Sequence, residues 1–151
     1  MQDFDLWIRL VKKYELSVLP KKTIQYRVYP GNLSGISDDA SSDPGRTGRI
    51  LTELYLVMRN FFDGVTDRLF CEAFGSGLIG PKCETELERK CEQAFLYTRS
   101  PFKLNQLIGV EKLHMLLHDP QAVVLLEHRY GFTPVSIAEL LKSIDVTSGQ
   151  A

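Results

Sequence analysis

The sequence predicts a mainly α protein, with a short β-hairpin near the N-terminus followed by a bundle of about five or six helices. Three observations carry that expectation. Apolar residues recur at spacings of three and four from Ile50 onward, Pro and Gly fall mostly between those runs, and only two short stretches near the start read as strands.

Taken in order, residues 3–13 alternate apolar and polar groups with helical spacing, Leu6 and Leu10 marking one side with Trp7 and Val11 beside them. Asp3 and Asp5 suit the positive end of that helix, and Arg9, Lys12 and Lys13 suit the other, so the helix is expected to stop near Tyr14. Leu16–Leu19 then reads as a strand, Pro20–Lys22 as a turn, and Ile24–Tyr29 as a second strand with Ile24, Tyr26 and Val28 on one face. From Pro30 to Gly48 the chain is rich in Gly, Pro, Ser and Asp. Such a stretch cannot specify an element, and residues 36–48 are read as a loop or linker.

Beyond it, residues 49–145 are helical in pattern. Ile50, Leu51, Leu54, Met58, Phe61, Phe62 and Val65 form one stripe, which is bent or broken at Gly64 and runs on through Leu69 and Phe70. A second helix is expected from Pro81 or Lys82, with Leu87, Cys91, Ala94 and Phe95 inward and Glu84, Glu86, Glu88, Arg89 and Lys90 outward. Leu104 to Leu117 supplies the next stripe. Asp119-Pro120 is a cap followed by a first-turn proline, which predicts a helix over Pro120–Tyr130 ending at Gly131. Thr133-Pro134 repeats the device for a last helix to about Lys142, and the tail after it, residues 146–151 at the least, is expected to fray.

Bulk composition narrows the function classes. The 151 residues are 44% hydrophobic and 25% charged, with a formal net charge of -1. That balance argues against a non-specific nucleic-acid binder, which needs excess Lys and Arg to neutralise phosphates. No apolar run approaches the roughly 20 residues that span a bilayer, so no transmembrane segment is expected. The expected location is the cytoplasm, with attachment to the inner membrane only through partners.

Cys71, Cys83 and Cys91 match neither a metal knuckle nor a disulfide framework, and read as small buried hydrophobes. His114, His118 and His128 form a geometrically conceivable metal trio, without a convergent acidic signature, and no metal site is expected in this chain.

One stretch is chemically denser than the rest. QDFDLWIRLVKKYELSVLPKKTIQYRVYPGNLSG, from Gln2 to Gly35, resembles the end of the catalytic domain of an inverting family 2 glycosyltransferase of the GT-A type. That family carries an acidic pair, an aromatic, a D-L-W-x-R-L helix, a strand ending in Y-R-x-H, and a polar G-N-x-S turn. The resemblance implies that residues 1–35 are a C-terminal piece of a GT-A domain and that Asp3 matches the base that deprotonates the acceptor hydroxyl. A carboxylate within hydrogen-bond reach of a hydroxyl can do this as the new bond forms. Gln2 stands where the family has Glu. Asp5, Trp7 and Arg9 match the helix motif and would hold that carboxylate and shape the acceptor pocket. Arg27 and Asn32 fall on the acceptor side, and Tyr29 stands where a His is common. The region Leu104–Val146 is similar in style to helical tails that follow such domains in some bacterial proteins.

The family also needs a nucleotide-binding half and a DxD motif that positions a divalent cation, Mn or Mg, on the diphosphate. Asp38-Asp39 follows the helix and is a poor substitute for that motif. The expectation is therefore a fragment of a nucleotide-sugar-dependent glycosyltransferase of bacterial surface-polysaccharide or glycan synthesis. It would be inactive alone and would use nucleotide-sugar, glycan acceptor and cation only in the full enzyme. The competing expectation is a non-catalytic helical module for dimerisation or protein interaction. Its partner would be a second copy or a GT-A N-terminal half.

Overall fold

The computed structural model describes residues 2–25, 44–80 and 83–144. Seven α-helices account for most of them: α1 Gln2–Val11, α2 Pro44–Arg59, α3 Asp67–Phe74, α4 Glu86–Thr98, α5 Lys103–Leu116, α6 Pro120–Tyr130 and α7 Pro134–Ser143. A 3₁₀ turn, Gly75–Gly77, follows α3. Chain contacts divide the protein into two units, parted between Val57 and Met58.

In the first unit, α1 has Asp3 and Asp5 in its first turn and Arg9 in its last, as the helix dipole favours. The N–H groups of Lys13 and Tyr14 both return to the Leu10 carbonyl, 3.0 and 2.9 Å away, and close the helix where its apolar pattern ends.

The expected hairpin is not formed. There is no strand among the described residues, and Leu16–Leu19 has no regular structure. Val18 is 91% exposed and Ile24 is 84% exposed; Tyr26 to Tyr29 lie outside the described residues. The physical reason is that strand propensity describes how a side chain fits a pleated, half-buried surface. A four-residue run with no neighbouring sheet has nothing to pair its backbone with. The fold is thus seven helices without a strand among the described residues, rather than a hairpin and five or six helices. α2 also begins at Pro44, so 44–48 is helical, whereas 36–43 lies outside the described residues. Proline's fixed φ suits a helix's first position, which lets α2 reach back into a stretch poor in apolar residues.

The second unit is built from α3 to α7. α2 ends at Arg59 and the chain turns through Gly64, whose φ of 71° is the left-handed conformation that glycine adopts without strain. Thr66 then caps α3, its side chain accepting from the Leu69 N–H at 3.3 Å. Around this turn Phe62 meets Phe61, Phe70, Phe74 and Tyr97 edge-on, with ring centroids 5.1 to 5.6 Å apart. That T-shaped geometry places the positive ring edge against a neighbouring π face. The Tyr97 hydroxyl donates to the Met58 carbonyl.

α4 opens with a capping box in which the Thr85 side chain accepts from the Glu88 N–H and the Glu88 carboxylate accepts from the Thr85 N–H. Asp119 caps α6 through the Gln121 N–H at 2.9 Å, Pro120 takes the first turn, and Gly131 ends the helix at φ 61°. α7 starts where the Thr133 N–H donates to Ser136 Oγ, 3.1 Å away. Cys91, Ala94, Phe95, Leu113 and Leu126 form the core between α4, α5 and α6, with Leu140 of α7 against it. α4 and α5 pack closely at Gly109, where a Cβ would stand 2.6 Å from the Thr98 backbone nitrogen and 2.9 Å from the Ala94 carbonyl oxygen. Only glycine permits that approach.

Candidate functional site

Two polar arrangements in the second unit are built by its helices. The first is a latch. Glu92 points inward from α4 and is 0% exposed. Its two carboxylate oxygens accept from the backbone N–H of Ile79 at 2.8 Å and of Gly80 at 2.7 Å. A buried carboxylate is tolerable only when such donors replace its water. Arg99, at the end of α4, donates to the Gly77 carbonyl at 2.5 Å and fastens the same segment farther along. Arg129 of α6 pairs with Glu88 and lies close against Gly80, where a Cβ would come within 2.6 Å of the guanidinium. The Tyr130 hydroxyl is buried beside Glu92 without reaching hydrogen-bond geometry among the described residues. Burial, together with the Glu92 carboxylate, pushes this hydroxyl well above the usual phenol range.

The second arrangement is a cleft of about 420 Å³ between α4 and α5. Leu87, Met115 and Leu116 supply its apolar surface, and Lys90, Gln93 and Lys112 rise from the two helices beside them. Arg59 and Glu111 close one end with an ion pair of 2.7 Å. Lys112 is half-buried, its ammonium 5.7 Å from the centroid of the Tyr97 ring. Burial lowers its pKa; Asp63 and Glu111 oppose that shift, and Arg59 adds to it.

The residues singled out from the sequence are elsewhere. Asp3, Asp5, Trp7 and Arg9 all lie on α1. Asp3 is exposed, Trp7 is 55% exposed, and Asp5 pairs with Arg9 at 3.0 Å along one face. Gln2 opens the helix. Arg27, Tyr29, Asn32, Asp38 and Asp39 lie outside the described residues.

His114 and His118 stack edge-on with centroids 4.8 Å apart. Among the described residues no three His, Cys, Asp or Glu side chains are placed to hold a metal ion. The three thiols are free, with Cys71 exposed, Cys83 part-buried ahead of α4 rather than on it, and Cys91 buried. Burial pushes the Cys91 thiol up to about 11, with Glu92 adding to the shift.

Sequence reasoning missed Glu92 and Lys112. Each is a charged residue on the border of an apolar stripe, Glu92 next to Cys91 and Lys112 next to Leu113. Position on a border was the one available signal, and it leaves open which way the side chain turns. No protein-family model matches the chain, and no curated protein or solved structure is significantly similar to it. No helix among the described residues is long and apolar enough to cross a membrane.

Proposed function

We propose that this chain is a non-catalytic helical interaction module that docks through α1. The observation that carries the reading is the apolar surface α1 presents: Phe4, Leu6, Trp7 and Val11 are all exposed, whereas Ile8 is buried. Tyr14 and Leu16, just past the helix, are exposed as well. A contiguous apolar patch around an exposed tryptophan is the composition of an interface centre, where Trp and Tyr supply large contact areas. The occupant to test first is a second copy of the chain.

Trp7 is the sole tryptophan, so its emission reports directly on that surface. Sedimentation equilibrium across a dilution series, with Trp7 emission on the same samples, tests the reading. Association with a concentration-dependent blue shift, both lost in Trp7→Ala, is expected for self-docking. A monomer whose Trp7 emission is shifted by no added protein partner sinks it.

The resemblance of residues 2–35 to the C-terminal edge of a GT-A glycosyltransferase supports a second reading, in which the occupant of the α1 surface is a GT-A catalytic half. The helix over Gln2–Val11, the stretch holding the D-L-W-x-R-L motif, favours it. In that reading Asp3 descends from a catalytic base, and donor and cation bind only when the other half is present. Titration of the chain with UDP- and GDP-sugars and manganese, with and without such a half, is the test. Metal-dependent donor binding by the chain alone would refute both readings.

A further inference from the structure

We infer that the cleft between α4 and α5 is a binding site for a small organic anion with an apolar body, held through Lys112. Its lining residues all belong to the second unit and α1 to the first, and the inference goes beyond the reading of the chain as a docking module.

Most charges in the cleft are already engaged. Arg59 is paired with Glu111, Lys90 with Glu86 at 2.8 Å, and Asp119 caps α6. Lys112 differs from these. Among the described residues its ammonium makes no ion pair within 4.0 Å, and its close neighbour is the face of Tyr97. A half-buried ammonium has lost part of its hydration, and the Tyr97 face and the Asp63 and Glu111 carboxylates offset that loss only in part, so an entering anion restores some of what burial removed. The lowered pKa of Lys112 reports that same desolvation, largest among its causes.

The lining also limits the charge of the ligand. It holds three cations, Arg59, Lys90 and Lys112, and three carboxylates, Asp63, Glu111 and Asp119, so its formal sum is zero. A di- or triphosphate would meet repulsion from those carboxylates, whereas a single negative charge at Lys112 would not be outweighed. The remaining lining favours an apolar body. Leu87 and Leu116 form a surface for alkyl or aryl groups, and Met115, 63% exposed at the rim, is a side chain that adapts its shape to a ligand. The volume of about 420 Å³ falls within the range of roughly 300–1,000 Å³ typical of small-molecule sites.

The test uses the full chain and two probes, the fluorescent anion anilinonaphthalene sulfonate and octanoate as its competitor. Saturable binding displaced by octanoate is expected, weakened about tenfold or more in Lys112→Met, equivalent to about 1.4 kcal/mol, and retained in Lys112→Arg. Amide shifts confined to the α4 and α5 residues of the cleft should accompany it. Met115→Glu places a negative charge at an exposed rim position and should weaken binding without touching the core, which keeps the test decisive if Lys112→Met folds poorly. Equal affinity in native protein and Met115→Glu overturns the inference. So does tighter binding of inorganic diphosphate than of octanoate, or dye binding that Trp7→Ala abolishes and Lys112→Met leaves intact.

Discussion

Replacing Glu92 with alanine should be among the most destabilising single changes in the second unit. The substitution removes both acceptors from the Ile79 and Gly80 N–H groups, which now lie 2.8 and 2.7 Å from carboxylate oxygens. Hydrogen bonds to a charged group contribute about 1.5–3 kcal/mol each, and a buried donor left unpaired costs about 1–3 kcal/mol. The Gly80 bond is buried and should count in full. The Ile79 bond is only part-buried, so water can replace some of it. A loss of about 3–4 kcal/mol follows, against a total stability of about 5–15 kcal/mol for a typical domain.

Urea unfolding followed by far-UV circular dichroism measures the effect as a lowered midpoint at unchanged slope. Hydrogen exchange should show the Ile79 and Gly80 amides losing protection beyond the global change. Glu92→Gln is the discriminating control. It keeps the shape and one acceptor but turns an amide N–H toward a backbone N–H, so it should fall between native and alanine. A loss under about 1 kcal/mol for Glu92→Ala, within the range of an ordinary surface substitution, would refute the latch. A fully stable Glu92→Gln would show that the charge has no part in it.

Other consequences follow from particular contacts. Gly109→Ala should destabilise by about 2–3 kcal/mol in the same unfolding assay, because the new methyl meets the Thr98 and Ala94 backbone, which cannot give way, as well as the Thr98 methyl. Gly48→Ala, in α2 with nothing within 4 Å of the new Cβ, should instead raise stability by up to about 1 kcal/mol. The Cys91 thiol, raised from 9.0 to about 11 in the fold, holds its proton more tightly when folded than unfolded. Its contribution is therefore intact below pH 9.0 and lost as pH rises toward 11, and Cys91→Ala should flatten that part of the stability profile. In thiol labelling, Cys71 should react first and Cys91 only on opening of the core, as mass spectrometry of timed samples would show.

The latch and the cleft depend on features that differ in how far they can be read from the chain alone. Helix punctuation is the most local. Asp119-Pro120 and Gly131 bracket α6 at the residues expected, and Thr133-Pro134 opens α7, since caps, prolines and left-handed glycines act within one turn of the backbone. The α1 helix and the placement of Asp3, Asp5, Trp7 and Arg9 along it follow from the same short-range chemistry.

Pairing and burial are non-local. Leu16–Leu19 has the composition of a strand and no strand among the described residues to pair with. Glu92 reads as one more charge on an acidic helix until the Ile79–Gly80 segment returns to it from twelve and thirteen positions back in the chain. Gly109 looks like a flaw in an apolar stripe until α4 comes against it. The bounds of α6 and the start of α7 were legible in the chain, because those signals lie within a few residues of each other, whereas α2 begins at Pro44 rather than near Ile50 and α4 at Glu86 rather than at Pro81 or Lys82. Which charges are buried, which glycine is irreplaceable and where a cleft opens came from the packing of the helices, because each depends on atoms brought together from distant parts of the chain.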